Sequence, residues 1–139
     1  MKLSVKSDYA ARAVLGLVRA FPSGESVRAE DLAAGQGLAV NYLVQILIEL
    51  KSKQIVKSQR GKAGGYLLAR APSEVTLGDV IRAVHGEIFD SPALTDPSCP
   101  PELRNAWSVL QKTLDSTADK INFQQLADDS VAREKMYYI

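Results

Sequence analysis

The chain between Val27 and Arg70 reads as a helix, a tight turn, a second helix and a glycine-rich hairpin, and this order constrains the fold more than any other feature. Gly37 suits the turn because a residue without a side chain tolerates positive φ. The expected segments are a short strand at Val27, helices over 29–35 and from Val40 to about Lys51, and strands Ile55–Arg60 and Tyr66–Arg70. This succession predicts a winged helix-turn-helix, mainly α with a small β-wing.

Length and composition favour an ordinary globular protein. A chain of 139 residues, 46% hydrophobic and 24% charged, is expected to form one compact domain with room for one accessory element. No stretch of ~18 or more consecutive residues is apolar, as a membrane-spanning helix requires. The first residues lack the apolar core of a signal peptide. We therefore expect a cytoplasmic protein with no membrane partner.

The net charge of +1 conceals an asymmetry between the two halves of the chain. Residues 1–70 hold eleven Lys or Arg against five Asp or Glu, whereas residues 71–139 hold six against eleven. A basic first half favours a polyanion-binding face near the N-terminus. Chance variation in surface charge is the alternative.

One cysteine and one histidine limit the chemistry that the chain can perform. Cys99 cannot form an intrachain disulfide, and neither Cys99 nor His85 can build a zinc site of the usual spacings. No nucleophile–base constellation or phosphate loop can be assembled, so we expect no catalytic residue, no metal site and no enzyme activity.

Three further segments complete the first two-thirds of the chain. Ser7 could cap a helix that begins at Asp8. Its apolar stripe comprises Ala10, Ala13, Val14, Leu17, Val18 and Phe21, and Pro22-Ser23-Gly24 ends it. Thr76, with Asp79 three residues later, predicts a capping box on a helix that Gly86 ends. Residues 87–100 are rich in Ser, Asp and Pro and are expected to form a loop.

A long helix should begin at Pro101, because proline fits the first helical turn. Its apolar positions form a heptad seam of about 20 residues. The seam comprises Leu103, Trp107, Leu110, Leu114 and Ile121. Packing of this seam against a second copy favours a homodimer, with packing on the first helix of the same chain as the alternative. Asn122 could cap a short helix, Phe123–Ala127, and the apolar ending Met136–Ile139 is expected to dock.

The candidate DNA-binding residues lie on the second helix, at the hairpin tip and at the N-terminus. Asn41 and Gln45 are four residues apart, so both can face the major groove, and Tyr42 beside them could hold a phosphate. The alternative for this helix is an ordinary solvated polar face. A narrow cationic hairpin tip suits the minor groove. The complete set is Lys2, Lys6, Tyr9, Asn41, Tyr42, Gln45, Arg60, Lys62, Gly64, Gly65 and Tyr66.

Several stretches together resemble the Rrf2 family of bacterial winged-helix transcription regulators. They are Lys2-Leu3-Ser4, Asp8-Tyr9-Ala10, Tyr42-Leu43-Val44-Gln45, the wing pattern from Arg60 to Ala69, and Val75 to Ile81. The resemblance covers nearly the whole chain and is most specific at the Arg-Gly-x-x-Gly-Gly-Tyr wing. It implies a homodimer built on the long C-terminal helix, with DNA contacts from Tyr42, Gln45 and residues 60–66.

The chain departs from the family pattern at two positions. Val44 stands where many members carry Glu, so the preferred bases should differ, because Val offers only an apolar contact. Cluster-binding members have three cysteines in the loop before the long helix, and here Cys99 stands alone. One thiolate, even with Asp8, is too few for an iron–sulfur cluster, so no cofactor is expected. Cys99 is a passive loop residue or, alternatively, a redox-sensitive thiol, which would require exposure.

The expected organisation is a winged helix-turn-helix domain over 1–86, a loop over 87–100, and a dimerisation helix with a docked tail over 101–139. The leading interpretation is a homodimeric, sequence-specific DNA-binding regulator, a repressor, without a cluster. The ending Met136–Ile139 resembles that of cluster-free, CymR-like members, which implies a metabolic enzyme as a further partner. The alternative from another class is a winged-helix module that binds proteins.

Overall fold

The computed structural model describes residues 2–62 and 64–137, apart from the side chain of Tyr137. It is mainly helical with one small antiparallel sheet, which confirms the predicted fold class. The elements are α1 Val5–Ala20, α2 Ala29–Gln36, α3 Val40–Ser52, β1 Val56–Gln59, β2 Gly65–Leu68, α4 Leu77–His85, α5 Pro101–Lys120 and α6 Phe123–Tyr137. Single 3-10 turns lie at Phe21–Ser23, Pro72–Glu74 and Pro92–Leu94.

Helix α1 forms the centre of the fold, in contact with α2, α3, α4, α6 and β2. Its side chains Ala10, Ala13 and Val14 have no solvent exposure, and Leu17 has 1%. The predicted apolar stripe is therefore correct up to Val18. It fails at Phe21, which lies beyond the helix in a 3-10 turn and is 36% exposed.

The start of α1 was predicted one turn too late. Ser4, not Ser7, is the N-cap, and its side-chain oxygen accepts a hydrogen bond from the Ser7 backbone N–H at 3.0 Å. Ser7 lies inside the helix and is 1% exposed. Both serines fit the capping pattern by type, but the hydroxyl of Ser4 starts the helix at Val5, three residues before Asp8.

Helices α2 and α3 form the predicted helix-turn-helix. Gly37 ends α2 with φ of 69°, and the two axes are bent by 110°, which lies within the usual range for this motif. Helix α3 buries Leu43, Ile46, Leu47 and Leu50. Among the described residues, no single helix has the length and apolar character to cross a membrane, whereas the bent α2–α3 pair meets that test by length and composition.

The hairpin of β1 and β2, called the wing below, is shorter than predicted. Its register pairs Val56 with Leu68 and Gln59 with Gly65, so Arg60 and Arg70 fall outside the strands. Val27 adds an antiparallel bridge to Tyr66, with backbone N–H···O distances of 2.8 Å in both directions. The predicted strand at Val27 is thus a single bridge that fastens the wing to the segment before α2.

Helix α4 has the capping box expected of Thr76 and Asp79. The Asp79 N–H donates to the Thr76 hydroxyl at 3.1 Å, and the Thr76 N–H donates to the Asp79 carboxylate at 3.1 Å. The helix ends at Gly86, whose φ is 94°. These local signals were sufficient to place both ends of the helix.

Helix α5 begins at Pro101 as predicted and, unusually for 20 residues, buries no side chain in this chain. Leu103 is 44% and Leu110 41% exposed, while Trp107 and Leu114 are half-buried. Ile121 does not extend the seam as a helical position. It follows the helix end in an extended conformation, and its carbonyl accepts a hydrogen bond from the Leu77 N–H at 2.9 Å.

The last helix is much longer than the predicted Phe123–Ala127. Asn122 does cap it, since its side-chain oxygen accepts from the Gln125 N–H at 2.9 Å, but α6 continues to Tyr137. Met136 is 78% exposed on this helix and does not dock. Tyr138 and Ile139 lie outside the described residues. The weak apolar periodicity after Ala127 gave no signal for the extension.

Phe123 joins the C-terminal segment to the winged-helix core. Its side chain has no solvent exposure and belongs to the same cluster as the buried residues of α1. Its N–H donates to the Val75 carbonyl at 3.0 Å, next to an antiparallel bridge between Thr76 and Asn122. The winged-helix part of the fold is therefore completed by residues that follow the long helix α5.

We predict that Phe123→Ala lowers the free energy of unfolding by about 3–5 kcal/mol, because truncating a buried aromatic side chain leaves a cavity. Urea denaturation followed by circular dichroism would measure the change. Gln125→Ala, on the exposed face of α6, is the matched control and should change the stability by less than about 0.5 kcal/mol. Equal stabilities of the two variants would contradict the role of Phe123 in the core.

Candidate nucleic-acid interface

One face of α3 is polar and open to solvent. Asn41, Tyr42 and Gln45 are all exposed, Tyr42 by 39%. These residues occupy the first two turns of the helix, and its opposite face is fully buried against the core. Because the buried stripe fixes the rotation of α3, the three side chains can meet the floor and edges of a major groove together.

The N-terminal half of α1 contacts this face through aromatic rings. The rings of Tyr9 and Tyr42 meet edge to face, with centroids 5.7 Å apart. The guanidinium of Arg12 lies 5.4 Å from the Tyr9 ring centroid and forms an ion pair of 2.9 Å with Asp8. Tyr9 thus supports Tyr42 from behind, and Arg12 brings a cation to the same surface.

Lys6, predicted as a phosphate contact, has a partner within the fold. Its Nζ lies 2.6 Å from Glu49 Oε1, so α1 and α3 are joined by an ion pair. Glu49 removes the free charge on which the prediction relied, because a paired lysine is a weaker phosphate ligand. Lys2, in contrast, is exposed ahead of the helix.

The tip of the wing is narrow and cationic. Arg60 and Lys62 are exposed, Gly61 has φ of 105°, and the Gly64 N–H donates to the Gly61 carbonyl at 2.9 Å. This turn places the two basic side chains on either side of Gly61. Ala63 lies outside the described residues.

Gly64, Gly65 and Tyr66 shape the wing from inside. A Cβ on Gly65 would collide with the backbone carbonyl of Val27, and one on Gly64 would lie 2.7 Å from the Gln59 carbonyl. Tyr66 is half-buried and packs against the core. The structure thus gives these residues a positioning role, since close backbone approach at the wing requires glycine.

Sequence reasoning overlooked Arg12, Arg28 and Glu49. Arg28 is exposed and lines a surface depression with Asp31, Gln59 and Gly64, next to the wing. The spacing of Arg12 from Asp8 and Tyr9, four and three residues, was a usable signal for their contact. No local pattern could reveal Glu49 as the partner of Lys6, because 43 residues separate them.

Cys99 is buried in the loop before α5. Its side chain is 7% exposed, and Sγ lies 3.7 Å from the Pro100 carbonyl oxygen. The exposure that a redox-sensitive thiol would need is therefore missing. Among residues 2–62 and 64–137, no group of three or more His, Cys, Asp or Glu side chains could hold a metal ion.

Arg104 organises the same loop from the first turn of α5. Its Nη2 donates to the carbonyl oxygens of Asp96 at 2.7 Å and Cys99 at 2.9 Å. Hydrogen bonds from the backbone and side chain of Ser98 hold the pKa of Asp96 below its ordinary value. The loop is thus ordered by hydrogen bonds between its own residues and α5.

Comparison with known proteins identifies this arrangement. The profile of the Rrf2 family, described as iron-dependent transcriptional regulators, matches residues 3–129. The chain belongs to the Rrf2 family. It is 33% identical to an HTH-type transcriptional regulator of Mycobacterium tuberculosis, over 96% of this chain and 93% of the relative. It is 30% identical to CymR of Bacillus subtilis over the full length of both chains.

Solved structures give the same assignment. IscR of T. potens superposes with a TM-score of 0.77 and 29% identity, covering 94% of this chain and 88% of that one. The global cysteine regulator CymR of B. subtilis superposes with a TM-score of 0.79 and 25% identity, covering 92% and 97%. These relatives are transcription regulators and not enzymes. The Rrf2 chain described here is accordingly a DNA-binding transcriptional regulator with no enzyme activity.

Proposed function

We propose that this chain is a cytoplasmic, homodimeric repressor that binds a specific operator without an iron–sulfur cluster. The observation that carries the proposal is the exposed polar face of α3, Asn41, Tyr42 and Gln45, followed in the chain by a cationic wing. A recognition helix and a wing can engage the major and minor grooves at the same time. A dimer that occupies an operator can exclude other proteins from it, which supports repression.

Base readout is assigned to Asn41 and Gln45, and phosphate contacts to Tyr42, Lys2 and the wing. Amide side chains pair with adenine edges, whereas hydroxyl and guanidinium groups bind phosphate oxygens. Val44 is half-buried between these positions, so it offers a partial apolar contact, for example to a thymine methyl. The operator should therefore differ from those of family members with Glu at this position.

We predict that Arg60→Ala weakens duplex binding by about five- to 150-fold, because a lost DNA contact is worth about 1–3 kcal/mol and about 1.4 kcal/mol is tenfold. The slope of log K against log salt should fall by about 0.9 if a phosphate contact is lost. Fluorescence anisotropy with a duplex selected from a random library would measure both. Arg19→Ala, an exposed cation in the last turn of α1, is the matched control. Failure of the unaltered protein to select any duplex would favour the protein-binding alternative.

The dimer is assigned to the exposed apolar stripe of α5. Gln111, Asp115 and Asp119 of this helix contact residues of the same chain, namely Phe89 and Arg82. Leu103 and Leu110 lie on another face and remain 44% and 41% exposed. Trp107 lies between the two faces, with its ring 6.5 Å from that of Phe89. A second copy would bury the stripe and could place two recognition helices about 34–36 Å apart, one turn of DNA.

We predict that Leu110→Glu converts the dimer to a monomer, because it introduces a charge into the proposed interface without touching the core of the chain. Size-exclusion chromatography with light scattering would report the mass. Asn105→Glu is the control, since this exposed residue of α5 lies away from the stripe. An unchanged dimer in Leu110→Glu would exclude this interface, and a monomeric parent protein would exclude the dimer itself.

The absence of a cluster is supported by the ligands available around Cys99. An iron–sulfur cluster needs about four protein ligands, and the loop offers one buried thiol. Arg104 brings a positive charge against the carbonyl oxygens of this loop.

We expect the protein purified under anaerobic conditions to contain less than stoichiometric iron and to lack the visible charge-transfer absorbance of iron–sulfur centres. Duplex binding should be the same before and after treatment with an iron chelator. Absorbance that bleaches on exposure to oxygen, together with loss of DNA binding, would contradict the cluster-free assignment.

The metabolic-enzyme partner implied by the ending Met136–Ile139 stays a prediction. Met136 is 78% exposed and available for contact, but Tyr138 and Ile139 lie outside the described residues. CymR of B. subtilis is a global cysteine regulator, and the full-length match to it supports a metabolic signal for this chain as well.

A further inference from the structure

A small basic cavity lies where the recognition helix, the wing and α4 meet. Its volume is about 230 Å³, below the ~300–1,000 Å³ typical of drug-sized ligands, so its occupant would be small. The lining residues are Lys53, Ile55, Arg70, Asp79, Arg82 and Ala83. Lys53 follows the end of α3, Arg70 follows β2, and Asp79 and Arg82 belong to α4.

Two of the three cations have donors to spare. The Lys53 side chain is exposed, and its ammonium forms no ion pair with any described residue. Arg70 reaches Asp79 only at 3.9 Å, beyond hydrogen-bond distance, and its Nε is buried without a partner among the described residues. The third, Arg82, is already paired with Asp119 at 2.8 Å and Asp115 at 3.6 Å. An anion in the cavity could pair with the Lys53 ammonium and the terminal nitrogens of Arg70, whereas the buried Nε of Arg70 lies out of its reach.

Asp79 neutralises only part of the positive charge in the cavity, because Lys53 and Arg70 outnumber it. Its Oδ2 accepts the N-cap hydrogen bond from Thr76 at 3.1 Å, which fixes this carboxylate on α4. The same oxygen is the distant partner of Arg70. The Arg70 guanidinium is planar, and the Asp79 carboxylate lies too far from it for a hydrogen bond. Such a group can receive the carboxylate or phosphate of a ligand through two parallel hydrogen bonds.

We propose that this cavity is a binding site for a small metabolite carrying a carboxylate or phosphate group. The site is separate from the base-reading side chains, because Lys53 lies at the end of α3 opposite to Asn41, about 18 Å away along a helix with a rise of about 1.5 Å per residue.

A ligand there would link the two working parts of the molecule. Arg70 lies two residues after β2, the second strand of the wing, and Arg82 connects α4 to α5 through Asp115 and Asp119. An anion that draws Arg70 and Arg82 together would shift the wing relative to the dimerisation helix. This regulatory consequence rests on the proposed function, whereas binding of the anion does not.

Binding is tested without DNA, on the full chain labelled with ¹⁵N. Inorganic phosphate and succinate are titrated separately at constant ionic strength, with chloride as the balancing ion. We expect saturable shifts of the amides at Lys53, Arg70 and Asp79, with no comparable shifts at the wing tip. Arg70→Gln and Lys53→Gln should each weaken binding fivefold or more, and Lys53→Gln has no fold contact to lose.

Arg60→Gln is the matched control, because it removes the same charge from the wing tip and should leave the binding unchanged. Saturation by phosphate alone or by succinate alone supports the site and assigns its ligand chemistry. Shifts spread over all basic surfaces, equal weakening in Arg60→Gln and Arg70→Gln, or no saturation with either anion would overturn the proposal. Repeating the DNA-binding assay with the preferred anion then tests the regulatory consequence alone.

Discussion

The complete burial of one face of α1 is the constraint on which the rest of the structure depends. Ala10 and Ala13 have no exposure, and their small side chains allow α2, α3, α4 and α6 to approach the same helix. Because α3 is fixed against this face by Leu43, Ile46 and Leu47, its polar side has only one orientation. The ion pair between Lys6 and Glu49 and the contact between Tyr9 and Tyr42 follow from that packing. The DNA-binding face is therefore a consequence of how α1 is covered.

Local signals in the sequence were sufficient for most of the fold. Gly37 with φ of 69°, the capping box of Thr76 and the proline at the start of α5 each determine an element end through the backbone of a few neighbouring residues. The periodicity of α3 separated its buried leucines from its polar face. The order of these elements, and the glycine-rich wing, then led to the correct family. The features that the sequence specified well depend on residues close together in the chain, although the two candidate caps Ser4 and Ser7 show that a local signal can be ambiguous.

The features that depend on distant residues were beyond local reasoning. Phe123 completes a core that begins 113 residues earlier at Ala10, so nothing near it indicates its burial. Lys6 was expected to contact DNA, but its ammonium is paired with Glu49, 43 residues away in the chain. Tertiary packing decided both cases.

The position of α5 relative to the DNA-binding part is determined by polar contacts more than by burial. Within one chain the helix buries no side chain, and it is attached through Arg82 with Asp115 and Asp119, and through Trp107 with Phe89. Burial by itself lowers the pKa of Arg82. The hydrogen bond to Asp119 and the surrounding carboxylates outweigh this effect, so the pKa lies above its ordinary value and the guanidinium stays charged. Such half-exposed ion pairs are worth only about 0–1 kcal/mol each.

A second copy covering Leu103 and Leu110 would add about 25 cal/mol of stabilisation for each Å² of apolar surface removed from water. Dimerisation would thus stabilise α5, but its orientation would still depend on the charges around Arg82. Under that condition a bound anion can change the spacing of two recognition helices.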